Sequence, residues 1–199
     1  MTRVAAIDCG TNSIRLLVAD GETMGEHITL NDLTRQMRIV RLGQGVDRTG
    51  RLAPEAIERT LAAVREYKRM IDNLGASDIR FVSTSAMRDA ENRQDFIEPV
   101  KELLGVYPEV VPGTEEAALS FAGAASSVHA YDRGKVLVVD IGGGSTEMVV
   151  GTLGKGVDAA YSADMGSVRV TEKFFAGCAS DQPIPDGVQA QASEWIDAR

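Results

Sequence analysis

One pattern constrains this chain more than any other: an apolar strand-like run, an Asp-x-Gly turn and a second apolar run occur twice. Val4–Asp20 (VAAIDCGTNSIRLLVAD) lines up without a gap against Val136–Thr152 (VLVVDIGGGSTEMVVGT). Asp8 falls on Asp140, Gly10 on Gly142, Ser13 on Ser145 and Val18 on Val150. Apolar, β-branched runs bounded by glycine read as buried strands. Glycines behind such a strand let backbone N–H groups approach a ligand closely, and a nest of N–H groups beside hydroxyls suits phosphate. An aspartate at the strand end is placed to hold a hydrated Mg²⁺ beside those phosphates. A single Asp-x-Gly hairpin is commonplace and says little. Two matching strands and a turn imply duplicated domains facing each other, with phosphate bound between their turns.

The rest of the sequence narrows the class. At 199 residues and 44% hydrophobic content, the chain can bury a core as one large domain or two small ones. A net charge of −8 argues against a general nucleic-acid binder, which needs a basic face. Cys9 and Cys178 have neither disulfide nor zinc spacing, which points to a reducing compartment. No signal-peptide pattern and no apolar run of membrane-spanning length stand out, so a cytoplasmic protein is expected.

In chain order, strands are expected at Arg3–Cys9, Ser13–Asp20 and His27–Leu42, with a turn at Asp20–Gly21. Pro54 opens a helix whose apolar stripe is Ile57, Leu61, Val64, Ile71 and Leu74, and Gly75 closes it. A strand at Ile79–Thr84, a helix at Asn92–Leu104, a short strand at Glu109–Val111 and a helix over Glu115–Ser127 follow. This βββαβαβα order is that of one half of an actin-like (ribonuclease H-like) α/β fold. A hinge at Ala130–Gly134 separates domain I (1–130) from domain II (131–199). The second domain repeats the first with strands at Lys135–Ile141, Thr146–Gly151 and Val157–Asp164, then helices near Ser167–Ala176 and Val188–Arg199. By the order of the first half, it is incomplete.

With these motifs in place, the chain closely resembles the exopolyphosphatase/guanosine-pentaphosphate phosphohydrolase (Ppx–GppA) family of the actin-like ATPase superfamily. The resemblance rests on AIDCGTNSIRLLVA, RLGQGVDRTGRL, STSAMRDAEN, GTEEAALSF and VVDIGGGSTEMV, in the family's order and across nearly the whole chain. It implies Mg²⁺-dependent removal of terminal phosphoryl groups from linear polyphosphate or from pppGpp. The substrate partner is then polyphosphate or a guanosine alarmone, with no DNA and no membrane, and a homodimer is an assembly it allows.

In GTEEA, Thr114 suits a helix N-cap, with Glu115 and Glu116 in the first turn, where acids are favoured by the helix dipole in any case. The resemblance assigns the second glutamate, Glu116, as the general base that activates water. It also implies that Asp8, Asp140 and Glu147 hold the metal, Glu147 being an asymmetric acid because it aligns with Arg15. Thr11, Asn12, Ser13, Gly142, Gly143, Gly144 and Ser145 would donate to phosphates, and Arg88, helped by Thr84, would grip one bidentately. Arg35, Arg38, Arg41, Arg48 and Arg51 form a basic stretch that is either a guide for polyphosphate or a solvated face. His27 and His129 have no metal or triad spacing. Two other classes share part of the pattern: an ATP-dependent kinase or ATPase, and a non-catalytic polyphosphate- or alarmone-binding fragment. The Glu116 motif and STSAMR favour the hydrolase.

Overall fold

The computed structural model describes residues 2–24, 27–127, 134–179 and 181–199. The chain divides into two compact units, Met1–Val111 and Pro112–Arg199. Most of the expected hinge segment, and His129 with it, lies outside the described residues.

The first unit is built on a mixed five-stranded sheet of β1 (Thr2–Cys9), β2 (Ser13–Met24), β3 (His27–Ile39), β4 (Asp78–Ser83) and β5 (Glu109–Val110), in the order β3-β2-β1-β4-β5. β1, β2 and β3 are antiparallel neighbours, whereas β4 runs parallel to β1 and β5 parallel to β4. Two longer helices of this unit, α2 (Pro54–Leu74) and α4 (Gln94–Leu104), occupy helical places of the expected order, and α5 (Gly113–Ser127), the next in that order, falls in the second unit. Two short ones are additional, α1 (Val46–Thr49) and α3 (Ser85–Asp89). Four or five residues are too few to show a 3.6 period, which is why the sequence concealed them.

One face of this sheet is the core. Ala5, Ile7 and Cys9 of β1 are buried in one cluster with Ile14, Leu16 and Val18 of β2, Phe81 of β4, and Leu61, Val64, Tyr67 and Ile71 of α2. Ile57 and Leu74 pack at its margin, so the expected stripe of α2 holds. Gly75 ends the helix at φ 73°, its N–H returning to the carbonyls of Ile71 and Asp72. The buried Tyr67 hydroxyl donates to the Ile14 carbonyl at 3.0 Å, tying α2 to the strand after the first turn.

The expected turn at Asp20–Gly21 is not there. β2 continues through both residues to Met24, with Gly21 paired to Leu30. The reason is tertiary: Arg3 donates from Nε to Asp20 Oδ1 at 2.7 Å and from Nη2 to Oδ2 at 2.9 Å. That fork holds Asp20 in the ladder and its carboxyl below the usual range.

The second unit has an antiparallel three-stranded sheet in the order β6-β7-β8, from β6 (Lys135–Ile141), β7 (Thr146–Thr152) and β8 (Gly156–Ala163). α5 packs on this sheet, with Ala117 and Phe121 against Val149, Val136 and Val138. The Phe121 ring fills the space above Gly151, where a Cβ would also come within 2.6 Å of the Gly156 carbonyl oxygen. α6 (Ser167–Val170) then runs into a π-helical turn over Thr171–Phe175, rather than forming one regular helix to Ala176. α7 (Asp186–Asp197) starts earlier than expected, behind Pro185. Among the described residues no helix is long and apolar enough to cross a membrane.

The repeat makes the unequal covering of the two sheets visible. Ala5, Ile7 and Cys9 are at most 2% exposed. Their counterparts Leu137, Val139 and Ile141 are 61%, 51% and 71% exposed. α2 fills that position in the first unit; the second unit lacks its equivalent among the described residues.

Candidate active site

Both Asp-x-Gly turns are closed the same way. Gly10 N–H donates to the Ser13 carbonyl at 2.9 Å, and Gly142 N–H to the Ser145 carbonyl at 2.9 Å. Each joins antiparallel strands whose last ladder pairs match: Cys9 with Ile14, and Ile141 with Thr146. The duplication read from sequence is therefore a duplication of loop geometry.

In the first unit the loop Gly10–Ser13 is braced from two sides. The Asn12 carbonyl accepts N–H bonds from Val40 and Arg41, and the Thr11 carbonyl accepts one from Gly43, all at 2.9 Å. Arg41 takes φ 49° to do so, an unusual conformation for a residue with a side chain. A Cβ on Gly43 would overlap the Thr11 side chain and come within 3.0 Å of Ala86 Cβ. The buried Thr11 hydroxyl shares a 2.8 Å hydrogen bond with Ser85, so its hydroxyl is engaged within the protein. Thr84 stands at the N-cap of α3, close to Gly10, and its carbonyl accepts from Met87 and Arg88. Arg88 is thus helical rather than on a loop, and its Nη1 donates to the Val111 carbonyl at 2.9 Å. The first unit brings together Thr11, Ser85, Thr84 and the Gly10 turn around the start of α3.

Asp8 lies next to last in β1, directly opposite Arg15, with a 3.4 Å ion pair between them. Asp140 occupies the same place in β6, but opposite Glu147. Cross-strand partners share a face, so the pair that is acid–base in one unit is acid–acid in the other. Glu147 is only 1% exposed, which excludes a solvent-facing strand position for it. Two carboxylates side by side are unfavourable unless something offsets them. Two hydroxyls contribute: Ser162 Oγ donates to Glu147 Oε1 at 2.8 Å, and Ser120 Oγ to Asp140 Oδ2 at 2.5 Å.

Ser120 belongs to α5, and Glu116 lies four residues before it, on the same helix face. Glu116 is half-buried whereas Glu115 is exposed, which separates the two glutamates by environment. The helix itself begins two residues earlier than a Thr114 cap allows. Pro112 O accepts the N–H groups of both Glu115 and Glu116 at 3.0 Å, leaving Thr114 inside the first turn. A proline carbonyl meets this need, because an N-cap residue uses its carbonyl and not its N–H.

The glycine loop of the second unit is held by a segment that sequence reasoning passed over. Ser167 N–H donates to the Gly142 carbonyl at 2.9 Å, and the N–H groups of Val168 and Arg169 to that of Gly143 at 2.9 and 3.1 Å. Arg169 Nε reaches the Gly144 carbonyl at 2.9 Å. A Cβ on Gly166 would come within 2.5 Å of the Gly143 carbonyl group, so the two backbones touch. Ser145 at the loop's end is buried. Ser120 was legible as one turn after Glu116; nothing in GSVR singled out Arg169, since an arginine in a short helix usually faces water.

Burial pushes the Cys9 thiol well above its ordinary range, and the charge of neighbouring Asp8 adds to the shift. It is a core residue, not a nucleophile. Of the basic stretch, Arg35 pairs with Asp32, Arg38 with Glu66 and Arg51 with Glu91, all at exposed positions. Among the described residues no group of three or more His, Cys, Asp or Glu is set to hold a metal ion by protein ligands alone.

Comparison with known proteins agrees with this architecture. The chain is 51% identical over 181 residues to exopolyphosphatase 2 of Mycobacterium tuberculosis, covering 87% of this chain and 55% of that protein. A solved exopolyphosphatase-like protein superposes with a TM-score of 0.89 at 44% identity, over 99% of this chain and 59% of that one. The Aquifex aeolicus member of the Ppx/GppA family superposes with a TM-score of 0.73 at 34% identity, over 99% and 61%. The chain therefore spans a little over half the length of these relatives. The sequence profile of the Ppx/GppA phosphatase family matches residues 18–198, almost from the second strand to the last helix. With the paired turns, the acid pair and the α5 glutamates all in place, the chain belongs to the Ppx/GppA phosphatase family.

Proposed function

We propose that this chain carries the reacting groups of an exopolyphosphatase, releasing terminal orthophosphate from linear inorganic polyphosphate. The observation that carries the reading is the acid pair Asp140–Glu147, each carboxylate oriented by a serine, with half-buried Glu116 on the α5 face that meets Asp140. A like-charged pair with one member buried is retained against its cost where chemistry uses it.

In this reading Glu116 orients a water and takes its proton as the water oxygen attacks the terminal phosphorus. The bond from that phosphorus to the bridging oxygen breaks, giving orthophosphate and a chain one unit shorter. Backbone N–H groups of Gly143, Gly144 and Ser145 bind phosphate oxygens in the second unit, with the loop held from behind by Ser167–Arg169. Asn12 and Ser13 of the braced first loop, with Thr84 and Arg88, do the same in the first. Thr11 contributes through its backbone, since its hydroxyl bonds Ser85.

The donors fit Mg²⁺ in kind: Asp8 in the first unit and Asp140 with Glu147 in the second offer hard carboxylate oxygens, and serine hydroxyls fix the orientation of the latter two. Within the second unit Asp140 and Glu147 would hold an ion together with phosphate oxygens and water, and it would neutralise charge on the terminal phosphoryl group. The name of the M. tuberculosis relative favours polyphosphate over a guanosine alarmone as the substrate.

Orthophosphate release from polyphosphate, pppGpp and ATP, each with Mg²⁺ and with EDTA, tests this. Release from polyphosphate that EDTA abolishes is expected. Turnover of ATP with polyphosphate and pppGpp untouched would instead place the chain with kinases and ATPases.

A further inference from the structure

We infer that Arg169 is a positioning residue for phosphate binding, acting by locking the Gly144–Ser145 peptide so that the Ser145 N–H faces the ligand side of the loop. This rests on the reading of Gly143–Ser145 as the phosphate cradle. A peptide plane flanked by glycine rotates at little steric cost, because glycine tolerates both hands of φ. Such a loop binds an anion well only if its N–H groups are held convergent beforehand, since a flip replaces a donor by a carbonyl oxygen that repels phosphate.

Ser167–Arg169 captures three successive carbonyls on one side of the loop. Backbone N–H groups hold those of Gly142 and Gly143, and they persist whatever side chains follow. Among the described hydrogen bonds, the Gly144 carbonyl is held by a side chain, the Nε of Arg169 at 2.9 Å. Carbonyl and N–H of one trans peptide point in opposite directions, so fixing the Gly144 oxygen fixes the Ser145 N–H. The Nε–H of a guanidinium is a charge-assisted donor of fixed direction, which lysine reproduces only as a mobile point charge. The close approach of Gly166 to Gly143 keeps the clamp within reach.

The test uses the full chain and tripolyphosphate, with R169Q and R169K. Amide NMR follows Gly143, Gly144 and Ser145 during titration, and relaxation dispersion reports exchange in the loop without ligand. R169Q is expected to weaken tripolyphosphate binding about tenfold, the size of one charge-assisted hydrogen bond, and to raise exchange at Ser145. R169K should fall between it and the wild type, with all three chains melting together to within a few degrees. Wild-type affinity and a quiet loop in R169Q would overturn the proposal. So would an R169K chain that stays folded and matches R169Q in neither binding nor exchange but the wild type in both. If wild-type Ser145 shifts with tripolyphosphate while no phosphate is released from polyphosphate, the reaction reading fails and the clamp stands.

Discussion

Cys9 and Glu147 show how burial sorts residues that look alike in sequence. Cys9 sits one residue past Asp8 in the repeat, yet its side chain enters the core while that of Asp8 faces the other way, the alternation a strand imposes. With its thiol held neutral by burial, it should ignore a thiol reagent near pH 8 while the less buried Cys178 reacts. Counting one modified thiol natively and two in denaturant checks this. The unfolded thiol ionises near pH 8.5 and the folded one higher, so above that pH the unfolded chain holds fewer protons. Stability therefore falls as pH rises past about 8.5, with a slope approaching about 1.4 kcal/mol per pH unit from this group; denaturant melts between pH 7 and 10 measure it, and C9A should flatten that slope. The two aspartates were legible at this scale because the repeat marks them. Ser162 and Arg169 were not, because their roles come from a strand pairing and a carbonyl clamp that no local motif encodes.

At the scale of elements, strong periodic segments were readable and short or tertiary-determined ones were not. α2 announced itself through its stripe, its proline start and its glycine stop. α1 and α3 lack a period, and the β2–β3 turn is not at Asp20–Gly21, because the Arg3–Asp20 fork keeps Asp20 in the ladder against the local Asp-Gly signal. α5 is held to β6–β8 by little apolar material, with Phe121 as its one large buried side chain. Phe121→Ala should cost about 3–5 kcal/mol, read as selective loss of hydrogen-exchange protection in β6–β8. Gly43→Ala should cost about 1–3 kcal/mol by forcing Thr11 off its Ser85 partner; its checkable signature is disturbed amides at Gly10–Ser13 in the NMR spectrum.

For the molecule as a whole, the repeat predicted two units and the structure shows how unequally they are stabilised. The first has one continuous core, from β1 through α2 and α4; the second has a three-residue buried cluster and an open apolar face at Leu137, Val139 and Ile141. Unfolding should accordingly be resolved into two steps, the second unit exchanging its amides first, and a dye that reports exposed apolar surface should bind less when these three residues are replaced by threonine. The proposed reaction takes place on that less stable unit, where Glu116, Asp140 and Glu147 lie. It is tested most directly by the single-turnover release of orthophosphate from Mg²⁺-tripolyphosphate by the wild type, E116Q and E115Q. E116Q should slow release by about 10²–10⁴-fold at unchanged substrate affinity, with E115Q close to the wild type. Full activity in E116Q, or an equal loss in E115Q, would contradict it.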